Sequence, residues 1–259
     1  MSVRSRLGAA RRRVLCSLYR RGVPLGDSGP MVSFSFDDFP RTAYSSGGAI
    51  LERFGARGTY YAAAGLMNTA NELGEQFRLQ DLDSLLEKGH ELAGHTYSHI
   101  SCRSVSCAAF HEDVGKGQQA IRKVTGLDSP NFAYPFGHVT LEAKRTLELE
   151  PASARSIVPG FNGPEIDLNL LRANSLYGDL EALRYAEELI AKATERKAWL
   201  IFYTHDVRPS PSAFGCTPEL LEAAVACAAR RGCRILTVRE ALSEVGADMQ
   251  VQVSKAGVQ

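Results

Sequence analysis

No stretch of the 259 residues is long and apolar enough to cross a bilayer as a helix, which excludes a helical membrane span. The start of the chain lacks the continuous apolar run of a secretory signal, because Arg11, Arg12 and Arg13 interrupt the only candidate before Val14, Leu15 and Leu18. A cytoplasmic location is the resulting expectation. Six cysteines, at 16, 102, 107, 216, 227 and 233, form no Cys-x-x-Cys pair, and are read as reduced, mostly structural thiols. There is no linker rich in proline, glycine and serine, no internal repeat and no low-complexity segment, so one domain is expected. Acidic residues are missing from residues 1–21, which carry seven arginines. Without those seven, the chain holds 23 basic against 29 acidic side chains, and a body of net charge −6 gives no broad case for binding nucleic acid.

Three regions follow: a basic N-terminal arm at 1–27, a catalytic domain at 28–245 and a C-terminal tail at 246–259. Val14, Leu15, Leu18 and Tyr19 suit one stripe of a short helix in the arm, packed on the domain or laid on an anionic membrane. Apolar runs rich in β-formers occur at 31–36, 58–63, 91–93, 131–135, 154–158, 199–204 and 234–237. Between most of them lie helical patterns, at 47–54, 79–88, 107–125, 141–150, 179–197 and 217–231, several closed by glycine. This alternation predicts βα units around a parallel sheet, closed into a barrel or doubly wound. Unusual polar residues gather where strands end: Asp37 and Asp38 after the first run, His95 and His99 after the third, Pro135 to Gly137 after the fourth, His205 and Asp206 after the 199–204 run. That placement favours a barrel, whose chemistry collects at the carboxyl ends of its strands.

Two adjacent carboxylates at a strand end suggest two roles, one as a cation ligand and one as a base; the alternative is an Asp-Asp-x-Pro turn that caps the next helix. His95 and His99 are four apart, so on a helical turn both imidazoles reach one ion; the alternative is two surface histidines. Imidazole with carboxylate suits zinc and its first-row neighbours, and three protein ligands leave room for water and substrate. His205 ends an apolar strand and faces the same rim, unless it is a buried histidine satisfied by backbone. His90 is read as structural, and His111 and His138 as solvated.

Taken together, the segments Ser35-Phe-Asp-Asp-Phe-Pro40, Gly89-His-Glu-Leu-Ala-Gly-His-Thr-Tyr-Ser-His99, Phe132-Ala-Tyr-Pro-Phe-Gly137 and Phe202-Tyr-Thr-His-Asp206 resemble the first, second, third and fifth motifs of the NodB-like polysaccharide deacetylases, carbohydrate esterase family 4. The resemblance runs from about 31 to about 242. It implies a distorted (β/α)7-type α/β barrel in a single domain that removes acetyl groups from N-acetylated sugars or polysaccharide precursors. It further implies a divalent cation, Zn2+ or else Co2+, Ni2+ or Mn2+, held by Asp38, His95 and His99. Asp37 then matches the base, His205 the acid, and Phe136 the backbone N–H that donates to the oxyanion, with Tyr134 and Phe39 as substrate-side neighbours.

Four departures stand out. Phe39 replaces a frequent glycine and is expected to narrow the site or to stack on a sugar. Ala133 stands where many members have an arginine beside the base aspartate, and Arg172 is the expected substitute. Gly94 replaces a frequent asparagine, and the fourth motif has no clear counterpart. Two other readings compete: a hydrolase of another C–N bond, such as a deformylase or ring-opening amidohydrolase, and a sugar-binding relative that lost catalysis.

Overall fold

The computed structural model describes residues 14–147 and 152–247. Its framework is a parallel sheet whose strands are β1 Met31–Asp37, β2 Thr59–Ala62, β3 Glu91–Gly94, β4 Asn131–Ala133, β5 Ser153–Arg155, β6 Asn174–Ser175, β7 Trp199–Thr204 and β8 Arg234–Ile235. Their spatial order is β6-β7-β1-β2-β3-β4-β5, with β8 also paired to β1. The helices are α1 Ala49–Arg53, α2 Leu79–Glu87, α3 Cys107–Thr125, α4 Leu141–Thr146, α5 Leu183–Glu195, α6 Pro218–Arg230 and α7 Val238–Glu244.

The sheet curls into a distorted barrel. Between β5 and β6 the gap is bridged by residues 168–171 rather than by another βα unit: the Ala154 N–H donates to Leu168 O, and the Leu171 N–H to Ala154 O. The chain then runs into β6, beside β7. This irregular closure agrees with the expected fold and places the 174–175 strand inside a segment with too little apolar pattern to be read from sequence.

β1 is buried at every position, and the period of two divides it. Val32, Phe34 and Phe36 face outward into a core with Leu200, Phe202 and residues of α1, α5 and α6. Met31, Ser33, Ser35 and Asp37 therefore face inward. The inner face is partly polar: the Trp199 Nε1–H donates to Ser33 Oγ at 2.9 Å, and the buried Glu91 accepts from Thr59 Oγ1 and Asn131 Nδ2. α7, which the helical patterning had not revealed, closes this end of the barrel, its Arg239 N–H donating to Glu91.

The segment after residue 13 belongs to the domain. Leu15 is buried beside Phe132 and Leu147, and Gly22–Pro24 pairs antiparallel with Glu165–Asp167. The buried Lys144 ammonium secures it, donating to Leu15 O at 3.0 Å and Leu18 O at 2.8 Å and pairing with Asp167 at 2.7 Å. Packing on the domain is thus the outcome for Leu15, although Val14, Leu18 and Tyr19 stay exposed. The rest of the basic arm, residues 1–13, lies outside the described residues, as does the tail from 248. All six cysteines are free, and no described helix is long and apolar enough to cross a membrane.

Candidate metal centre and catalytic cleft

Asp37 ends β1 on the inward face, so its carboxylate points into the barrel mouth. There the Nη2 of Arg155 donates to both of its oxygens, at 2.5 and 2.6 Å. Both side chains are almost wholly buried. The guanidinium lies between two rings, its Cζ 4.9 Å from the centroid of Tyr61 and 5.1 Å from that of Tyr203. Arg155 stands on β5 directly opposite Ala133 of β4, on the same face. The arginine absent from the third motif is thus displaced by one strand, and the small side chains of Ala93 and Ala133 leave the interior open for it to cross.

Arg172 is not that arginine. Its Nη1 donates to Pro159 O at 3.1 Å and its Nη2 to Cys16 Sγ, outside the cleft. Position 172 lies beyond the irregular bridge that closes the sheet, so its side chain serves the outer loops.

Past Asp37 the backbone enters the left-handed region at Asp38 (φ 62°) and Phe39 (φ 66°). Side-chain alternation breaks there, and the Asp38 carboxylate turns over the mouth toward His95 and His99. The Nε2 atoms of these histidines lie 3.4 and 3.0 Å from Asp38 Oδ1. The three candidate ligand atoms all lie within 4.8 Å of one another. Oδ1 is buried and accepts no hydrogen bond among the described residues, an arrangement that a cation would satisfy. Burial pushes the Asp38 carboxyl up, but the two imidazoles outweigh it and hold the group well below the usual carboxylate range. His95 Nδ1 donates to Ala133 O at 2.8 Å, which leaves Nε2 for the ion.

The two histidines do not share an α-helical turn. Residues 95–100 form an irregular turn with left-handed Thr96 (φ 61°) and His99 (φ 53°), and α3 shapes it. Asp113 of α3 accepts from the backbone N–H groups of Tyr97 and Ser98 and from Ser98 Oγ. The approach is close enough that a Cβ on Gly117 would sit 2.7 Å from Thr96.

Phe136 is left-handed (φ 58°) and half exposed, its ring 4.5 Å from that of His99. It lines the cleft as expected. Tyr134 does not: it is buried, and its hydroxyl donates to Asn169 O. Phe39 is also absent from the cleft. It is fully buried, stacked 4.9 Å from Phe77 and tilted against Tyr60 at 5.0 Å, because its left-handed φ sends the ring back into the outer core. It neither narrows the site nor offers a sugar-stacking face.

His205 follows β7 and lines the same cleft, its Nδ1 3.1 Å from Phe214 O. The cleft holds about 350 Å³ around the Asp38 cluster, and its walls are mostly apolar, with Leu66, Leu73, Ile157, Tyr177 and Phe214 prominent. A hairpin, Ala70–Asn71 paired with Gly74–Glu75, carries Glu72 and Leu73 over one side. Neither Arg155 nor this hairpin was anticipated; Arg155 left one trace in the sequence, a charged residue inside an otherwise uncharged strand.

Residues 26–150 match the polysaccharide deacetylase family. That match agrees with the resemblance carried by the NodB-like motifs. The matched segment contains Asp37, Asp38, His95, His99 and Phe136 and stops short of Arg155 and His205. No curated protein matches this chain by sequence. Among solved structures it is similar to the carbohydrate esterase family 4 domain of a multidomain xylanase from the hindgut metagenome of Trinervitermes trinervoides, at 19% identity and a TM-score of 0.61, covering 84% of this chain and 92% of that one. It is also similar to a family 4 acetyl xylan esterase of Clostridium thermocellum in complex with cobalt, at 18% identity and 0.54, covering 82% and 90%. A family 4 pseudoenzyme variant is similar as well, at 16% identity and 0.54, covering 83% and 68%. A fold shared with a pseudoenzyme leaves catalysis to be argued from the residues.

Proposed function

We propose that the protein is a divalent-metal-dependent deacetylase that hydrolyses the N-acetyl amide of a sugar or polysaccharide precursor. The observation that carries this reading is the convergence of Asp38, His95 and His99 beside an Asp37 that is held by Arg155. A binding protein has no need of that second carboxylate, oriented and charge-balanced next to a ligand set.

Bound by Asp38 Oδ1 and the Nε2 atoms of His95 and His99, a divalent cation would acidify water and polarise the acyl carbonyl. Two imidazoles with one carboxylate favour zinc, with cobalt, nickel and manganese as alternatives. Asp37 takes the proton of the attacking water, and Arg155 keeps that carboxylate aimed at the mouth. The Phe136 N–H donates to the developing oxyanion. His205, doubly protonated, gives its Nε2 proton to the departing amine and keeps the Nδ1 proton.

Among the described residues that line the cleft there is no lysine or arginine, whereas Glu72 adds a carboxylate. A phosphate next to the reacting sugar would find no cationic partner there. The lining thus favours a neutral glycoside over a nucleotide-linked sugar.

The test is acetate release by zinc-loaded protein from N-acetylglucosamine oligomers, with a nucleotide-linked N-acetyl sugar alongside. Turnover of the oligomers that disappears in Asp37→Asn, with sugar affinity kept, supports the reading. Hydrolysis of a formamide or cyclic ureide without any acetate release would replace it, and oligomer binding without turnover in the parent would make the protein a binder.

A further inference from the structure

His205 leans on a backbone carbonyl and has no carboxylate partner among the described residues. Phe214 O accepts from the His205 main-chain N–H and lies at the same 3.1 Å from Nδ1. A carbonyl only accepts, so the hydrogen-bond network assigns the proton to Nδ1 and leaves Nε2 for the cleft. Everything His205 can do thus depends on where the Phe214 carbonyl is held.

Asp206 does the holding. It is fully buried, touches no reacting position, and directs its carboxylate away from the cleft into the loop that carries Phe214. One oxygen accepts from the Ser212 N–H at 2.9 Å and the other from the Ser212 hydroxyl. Ser212 Oγ in turn accepts from the Phe214 N–H at 3.2 Å. The Asp206 main-chain carbonyl closes the loop by accepting from the Cys216 N–H at 2.9 Å. Gly215 fits only because it has no side chain, since a Cβ there would lie 2.4 Å from Asp206 Oδ1. Arg208, 2.7 Å from Asp206 Oδ2, balances the buried charge.

We propose that Asp206 is the positioning residue for His205, acting through Ser212 to set the Phe214 carbonyl that holds the imidazole with Nδ1–H inward and Nε2 toward the cleft. The functional half of this proposal rests on the reading of His205 as the acid. The relay explains why a buried aspartate directly after the histidine is turned away from it: the carboxylate is spent on the loop, and the loop presents the acceptor. The same aspartate extends its hold to the roof of the cleft, because Arg208 Nη2 donates to Glu72 O of the hairpin at 3.3 Å.

The experiment reads the His205 tautomer by nitrogen-15 NMR in zinc-loaded protein, together with kcat and KM on N-acetylglucosamine oligomers. The neutral ring of the parent is expected to be the Nδ1–H tautomer, so that the proton it takes up to act as an acid sits on Nε2. Ser212→Ala should move His205 toward the Nε2–H form and lower kcat on the order of tenfold, a fraction of the 10² to 10⁴ that a general acid supplies, with KM little changed. Ser212→Thr, which keeps the hydroxyl, should restore both. Asp206→Asn should repeat the Ser212→Ala result, and zinc affinity should be the same in every variant, which separates positioning from general damage. An unchanged Nδ1–H signal and unchanged kcat in Ser212→Ala would overturn the proposal, as would a Ser212→Thr that fails to rescue. A parent that releases no acetate would count against the deacetylase reading, and the tautomer signal would still decide the positioning on its own.

Discussion

Arg155 on β5 and Asp37 on β1 meet across the barrel interior, one nitrogen set against both carboxylate oxygens at 2.5 and 2.6 Å. Neither charge has water to fall back on. Removing one partner leaves the other buried and uncompensated, which typically costs about 3–5 kcal/mol. Arg155→Met is therefore expected to lower stability by about that amount in urea melts, and to abolish turnover as well. Asp37→Asn in the same chain should recover part of the stability and none of the activity.

Metal binding should be visible without substrate. A ligand present at one hundred times its Kd stabilises the native state by about 2.7 kcal/mol, so chelated protein is expected to gain Tm on addition of zinc. Asp38→Asn and His99→Ala should lose that gain, because each removes one of three ligand atoms within 4.8 Å. Differential scanning calorimetry with and without zinc checks it, and an equal Tm gain in Asp38→Asn would place the ion elsewhere.

Phe39 separates packing from recognition. Its ring is fully buried against Phe77 and Tyr60, so Phe39→Ala should cost about 3–5 kcal/mol, the usual range for deleting a buried aromatic. The KM for sugar oligomers should stay close to that of the parent once the variant is folded. A large KM change at preserved stability would return Phe39 to the substrate.

His90 should make stability depend on pH. Burial is the largest influence and lowers its affinity for protons, against a smaller opposing pull from Glu52. Its Nδ1 accepts from the Gly58 N–H at 3.0 Å, which also favours the neutral ring. A group that binds protons more readily when unfolded makes stability rise with pH until the unfolded value is passed. The contribution should be complete above about pH 6.5 and fade as the pH falls below it. His90→Asn, whose side-chain oxygen can replace Nδ1, should flatten urea-derived stability over that window relative to the parent.

The candidate metal set was legible as a cluster because its members sit in short local patterns at strand ends, and each brings its own signal. Their conformation was not legible: the four-residue spacing of His95 and His99 suggested a helical turn, whereas Asp113 on α3 imposes an irregular one. Arg155 escaped notice because its pairing with Asp37 depends on strand register, and register is set by the assembled sheet. Arg172 looked suitable by composition alone. Phe39 and Tyr134 were misplaced for a related reason, since a left-handed residue or a strand end reverses side-chain direction without any mark in the residue types. The 174–175 strand and α7 were missed because one is too short and the other too weakly patterned to stand out.

Lys144 bears on how the arginine-rich segment can be studied. Since its ammonium grips the carbonyls of Leu15 and Leu18, trimming the chain past those residues would leave a positive charge sealed inside with a single acidic neighbour, Asp167. Any loss of vesicle binding in such a shortened protein would be confounded with unfolding. Starting the chain at residue 14 keeps the ammonium capped and removes five of the seven arginines. We propose that those five draw the protein to anionic membrane surfaces, and co-sedimentation of this shorter chain with anionic vesicles, equal to that of the full chain, would dismiss the idea.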